Sequence, residues 1–104
     1  MPGYIVQFGG KYCAWSTVKG APTTRLMTEA ELFAALARDH PYLEREIFDC
    51  RMARVREYGC SGGMYGFTKA DLLASNRAGP DGSHVATEEE MIALYLYGAP
   101  KENP

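Results

Sequence analysis

An α+β fold, with an N-terminal antiparallel β-hairpin or three-stranded meander packed against three to four α-helices, follows from three features of the sequence. Two runs near the N-terminus, Tyr4 to Phe8 and Tyr12 to Thr17, are rich in β-branched and aromatic residues and are separated by Gly9, Gly10 and Lys11. Beyond them the apolar residues recur at helical spacing. Thr28, Thr68 and Thr87 each stand three residues before a carboxylate, Glu31, Asp71 and Glu90, which is the spacing at which a hydroxyl and a carboxylate cap a helix start.

The hairpin comes first. Its glycines supply the positive φ that a tight turn requires. Alternation sets Tyr4, Val6 and Phe8 on one face and Ile5 and Gln7 on the other; Cys13, Trp15 and Thr17 share a face of the second strand, with Trp15 as a core anchor. After a turn at Lys19 to Pro22, Thr23 to Met27 is expected to add a short third strand. Thr28 then opens a helix that carries Leu32, Phe33 and Leu36 inward and ends near Asp39.

The spacing predicts the longest helix over 41–58, with Pro41 at its first position, Asp39 or His40 as its cap, and Gly59 closing it. Leu43, Ile47, Phe48, Met52, Val55 and Tyr58 fall on one arc. Arg51 breaks the pattern by projecting into that arc. Either its methylene stem lies on apolar surface while the guanidinium reaches water or a carboxylate, or it is buried and paired, or this face meets a partner. Cys60 to Phe67 is a glycine-rich stretch with interleaved aromatics. Thr68 caps a brief helix, Gly79-Pro80-Asp81-Gly82 signals a turn, and Thr87 starts a last helix whose apolar face is Met91, Ile92, Tyr95 and Leu96.

At 104 residues the chain has the length of one domain, read as residues 1–98 with a frayed polar tail at 99–104. A net charge of −2 argues against a dedicated nucleic-acid binder, and the apolar runs are too short to cross a bilayer. The N-terminal residues do not have the pattern of a secretion signal. Three irregularly spaced cysteines, Cys13, Cys50 and Cys60, agree better with a reducing cytoplasm than with a disulfide framework.

Few patterns carry chemistry. Gly59-Cys60-Ser61-Gly62-Gly63 superficially resembles glycine-flanked motifs of serine and papain-type proteases, over five residues and in a chain too short for either fold. The cysteines and histidines lack the paired spacing of a zinc site, so no metal and no cofactor is expected. Cys13 and Cys50 read as small core hydrophobes, whereas Cys60, in its glycine loop, is the thiol expected to react. Gly9-Gly10-Lys11 lacks the long loop opening onto a helix that binds phosphate. Arg38, Arg45, Arg51, Arg54 and Arg56 make the long helix and its approach the most basic part of the chain, but Glu44, Glu46, Asp49 and Glu57 interrupt them, as on a solvated helix with local ion pairs.

What remains is a surface that binds. Seven tyrosines and several arginines are residue types enriched at protein interfaces. Arg51 and Arg54, with Tyr42, Tyr65, Tyr95 and Tyr97, are the expected contacts for a protein partner, and the chain is expected to be a monomer or an isologous homodimer. In size, compactness and lack of catalytic machinery it resembles small accessory proteins of phages and prophages, among them anti-CRISPR proteins that bind a host complex and block it. That resemblance implies a non-enzymatic regulator or inhibitor. A nucleic-acid-binding module using the arginine-rich helix, and a small thiol enzyme or redox protein using Cys60, are the alternatives.

Overall fold

The computed structural model describes residues 3–63, 66 and 68–96. A three-stranded antiparallel sheet, ordered β1-β2-β3, is made of β1 (Gly3–Phe8), β2 (Lys11–Ser16) and β3 (Ala21–Pro22). Four helices follow: α1 (Glu29–Asp39), α2 (Arg45–Tyr58), α3 (Lys69–Ser75) and α4 (Glu88–Tyr95). The expected α+β architecture with an N-terminal meander is thus the one formed. The tail at 99–104 lies outside the described residues.

Gly9 and Gly10 both have positive φ, 58° and 82°, as a two-residue hairpin turn with a right-handed twist needs, and they set the register Phe8 to Lys11 through Gly3 to Ser16. Alternation then sorts the strands onto two cores. Val6, Phe8, Cys13 and Trp15 pack with Leu72 of α3 and Met91 and Tyr95 of α4. Ile5 and Ala14 face the other way, against Leu32 and Leu36 of α1 and Phe48, Met52 and Val55 of α2. The sheet is therefore a middle layer, buried on both faces.

The β1 edge is also covered. Beyond β1, Gly59 to Ser61 lies antiparallel to it: Gln7 N–H donates to Gly59 O and Ser61 N–H to Ile5 O, while Ile5 N–H donates to the Ser61 hydroxyl. This pairing continues directly from the left-handed turn at Gly59, φ 79°, that ends α2.

The third strand is shorter than the expected Thr23 to Met27 and lies earlier. Pro22 brings no N–H to the ladder, and the Thr24 hydroxyl, rather than a strand carbonyl, takes the Ala14 N–H at 3.1 Å. The chain rejoins the sheet only at Met27, bridged to Tyr12. The caps agree with expectation: Thr28 with Glu31 and Thr68 with Asp71 are reciprocal boxes, and the Thr87 hydroxyl accepts from Glu90 N–H.

The start of the long helix differs from the sequence reading. Pro41 is not its first residue. A residue before proline avoids the helical region, so α1 stops at Asp39 and His40 leaves it, at φ −130° and ψ 82°. Pro41 and Tyr42 then occupy a turn closed by Leu43 N–H donating to His40 O at 2.9 Å, and α2 begins at Arg45 behind Glu44, whose side chain makes no capping bond. Within the helix the buried stripe is Phe48, Met52 and Val55. Ile47 and Cys50, expected to be inside, are exposed.

Candidate functional site

The turn at 40–43 holds the ends of α1 and α2 around an open groove of about 420 Å³. Leu36 from the last turn of α1, Leu43 from the connection and Ile47 from the first turn of α2 make its apolar floor. Pro41 and Tyr42 also line it, and Asp39, His40, Glu44 and Arg51 supply the polar lining. Tyr42 is 95% exposed and Ile47 52% exposed, so a large aromatic and a branched aliphatic side chain stand in water beside an apolar hollow.

Arg51 lies one helical turn beyond Ile47 and is half-buried. One Nη donates to the Gly3 carbonyl at 3.2 Å. Among the described residues no carboxylate forms an ion pair with it, although Asp39 and Glu44 line the same groove. Burial first, and the neighbouring Arg54 cation second, push its pKa below the usual guanidinium value. Arginine stays protonated in spite of such a shift. The groove thus contains a partly desolvated, like-charge-crowded cation, where an incoming anion lowers the energy.

The other arginines of α2 are engaged differently. Arg45 pairs with Asp49 and Glu29 and stacks 4.7 Å over the Phe33 ring, and Arg56 pairs with Glu29. These contacts neutralise much of the basic character seen in the sequence and join α1 to α2. Arg54 is half-buried beside Arg51.

Of the residues expected to bind a partner, the groove brings together Tyr42 and Arg51. Tyr95 belongs to the opposite core. It is 2% exposed, its hydroxyl donates to Ala78 O at 2.7 Å, and burial, then the nearby Cys13 thiol, pushes its pKa up to about 12. The expectation of an exposed Tyr95 is therefore corrected: it is a core tyrosine whose polar end is satisfied. Tyr65 and Tyr97 lie outside the described residues.

Cys60 is also inside. It is wholly buried, its sulfur accepts from Gly62 N–H at 3.4 Å, and burial raises its pKa, an effect that this bond only partly offsets. A glycine loop read from sequence suggested access; the loop is instead a sheet-edge segment, and Gly62 lets the Tyr4 ring approach so closely that an added Cβ would fall 2.5 Å from it. Cys13 is likewise buried, its pKa pushed up to about 12 by burial and then by Cys60. Cys50 is the exposed thiol among the described cysteines. Neither histidine is hydrogen-bonded to Cys60 among the described residues: His84 Nδ1 bonds to Asn76 O, and His40 lines the groove.

Among the described residues no three His, Cys, Asp or Glu side chains gather as a metal site, and no helix is long and apolar enough to cross a membrane. No protein family, curated protein or solved structure matches the chain. The groove is the feature that sequence reasoning missed. Its signal was Pro41, which reads as a helix start and is the second residue of a turn.

Proposed function

We propose that this chain is a small non-enzymatic regulator or inhibitor that binds a protein partner through the groove between α1 and α2. The observation that carries the reading is the exposure of Tyr42 and Ile47 at the mouth of an apolar hollow that also contains a half-buried arginine. A concave apolar site with a few placed polar groups is the usual form of a binding site, and tyrosine and arginine dominate the energetics of protein interfaces. The ion pairing of Arg45 and Arg56 speaks against a surface that tracks a phosphate backbone. The burial of Cys60 and its raised pKa speak against thiol chemistry there.

Within this reading the protein is of the same type as the accessory proteins of phages and prophages that act by blocking a host complex, anti-CRISPR proteins being one group. Three free cysteines suit work in a reducing cytoplasm.

The test compares the wild-type chain with a Tyr42→Ala, Ile47→Glu double variant as bait in host lysate, with nuclease and at low and high salt. Both side chains are exposed, so the double variant should keep its fold, changing stability by no more than about 1 kcal/mol. A discrete protein should be retained by the wild type through nuclease and salt, and its affinity should fall at least about tenfold in the variant. Capture that ignores both substitutions, or that vanishes with nuclease, overturns the reading.

A further inference from the structure

We propose that the groove receives an extended acidic segment of the partner, in which an apolar side chain fills the hollow at Leu36, Leu43 and Ile47 and a Glu or Asp two residues away docks on Arg51. This deepens the docking reading above and rests on it.

Charge and spacing argue for it. Arg51 contributes a lining cation that spends a donor on Gly3 O and pairs with no carboxylate among the described residues. A guanidinium has further donors, and a carboxylate can accept two parallel bonds from them. Ile47 and Arg51 are one helical turn apart, a separation of about 6 Å between their Cβ atoms. In an extended peptide, residues two apart share a face and are about 6.6 Å apart. An apolar side chain and an acidic one at that spacing therefore match the floor and the cation.

The other titratable groups at the site narrow the ligand. Asp39, Glu44 and His40 line the groove with Arg51. Two carboxylates repel a continuous polyanion laid along the mouth. A single carboxylate is compatible with them, because it needs only Arg51, which pairs with neither acid among the described residues. The same arrangement disfavours a nucleic acid, whose phosphates recur along the strand.

The experiment titrates the full chain with two capped peptides, N-acetyl-Phe-Gly-Glu-amide and N-acetyl-Phe-Gly-Gln-amide, which differ only in the carboxylate. Methyl resonances of Leu36, Leu43 and Ile47 report occupancy. The Glu peptide should shift them and bind at least about fivefold more tightly than the Gln peptide, the difference expected between a charge-assisted and a neutral hydrogen bond. In Arg51→Gln the preference should disappear while the Gln peptide binds as before. Because the peptide pair is compared on the unaltered protein, the result does not depend on that variant folding.

Equal binding of the two peptides, or no shift at these methyls, overturns the carboxylate assignment. So does a thymidine oligonucleotide that moves the same methyls more strongly than the Glu peptide. So do shifts that follow protein concentration alone, which would assign the groove to a second copy of the chain. If the peptides bind alike yet capture from lysate still depends on Tyr42 and Ile47, the acidic segment is refuted and groove docking survives. If that dependence is absent as well, both are refuted.

Discussion

The two faces of the sheet are held by different means. On the α3/α4 face the helices are short, seven and eight residues, and an isolated helix of that length is not stable in water. Buried polar pins compensate. Asn76, 2% exposed, donates through Nδ2 to Leu73 O and Val85 O and accepts through Oδ1 from Ala78 N–H and Val85 N–H. His84 bonds to the Asn76 carbonyl, and the Tyr95 hydroxyl donates to Ala78 O. On the α1/α2 face the helices run to eleven and fourteen residues and are joined by an apolar stripe, an edge-on Phe33–Phe48 pair and surface ion pairs around Glu29. Long helices tolerate an incompletely filled seam between their ends. Short irregular elements do not, because each buried backbone group there needs its own partner. The open groove lies on the side that can accommodate it.

The largest expected contrast is in thiol access. Cys13 and Cys60 lie in the α3/α4 core and are wholly buried, while Cys50 is exposed on α2. With an aromatic disulfide reagent under native conditions, Cys50 should react at once. Cys13 and Cys60 should react at least about a thousandfold more slowly, because modification waits for an opening close to global unfolding. Raised thiol pKa values at both buried sites work in the same direction. Rapid modification of Cys60 in the wild type would mean that the edge segment Gly59 to Ser61 opens locally, and that the pinned face is the looser one.

Asn76→Ala should have the next largest effect. It removes four hydrogen bonds and leaves two N–H groups and two carbonyls without that partner, at about 1–3 kcal/mol for each group that stays both buried and unsatisfied. A loss of at least about 3 kcal/mol in urea unfolding is expected, against about 1 kcal/mol or less for Tyr42→Ala on the other face. A loss below about 1 kcal/mol for Asn76→Ala would show that water replaces the side chain, and the comparison between pinned and self-supporting faces would fail.

What was legible in the sequence was local. Thr28, Thr68 and Thr87 find their partners three residues on, and β1 and β2 find theirs across a two-residue turn, so short-range spacing determines them. Pro41 shows where this ends. Fixed φ suits the first residue of a helix and the second of a β-turn equally, and periodicity beyond it cannot separate the two, because Leu43 is partly buried in both. The groove arises from that one choice. Cys60 and Tyr95 failed as surface residues for a different reason: their burial depends on which long-range segment crosses β1 and which loop supplies the Ala78 carbonyl, and neither contact leaves a mark in neighbouring residues.

The smallest expected effect lies in the capping carboxylates, one on each face. Glu31 accepts from Thr28 N–H at the start of α1, and Asp71 accepts from Thr68 N–H at the start of α3. Those backbone bonds are the main cause of the lowered pKa at both groups, helped at Glu31 by Arg25. A folded-state pKa below the unfolded one means that stabilisation is present above the unfolded values, roughly 4.3 for Glu and 3.9 for Asp, and is lost as pH falls through the folded values. Glu31→Gln and Asp71→Asn keep the side-chain acceptor and remove the charge. Each should therefore melt below wild type near neutral pH and converge with it under acid. The gap should be wider for Asp71→Asn, since α3 has fewer internal bonds than α1 with which to hold its first turn. Thermal melts of the three proteins across the acid range measure both effects. A gap independent of pH would assign the caps to geometry alone. A wider gap at Glu31 would mean that α1 also leans on its cap, which would narrow the contrast between the two faces.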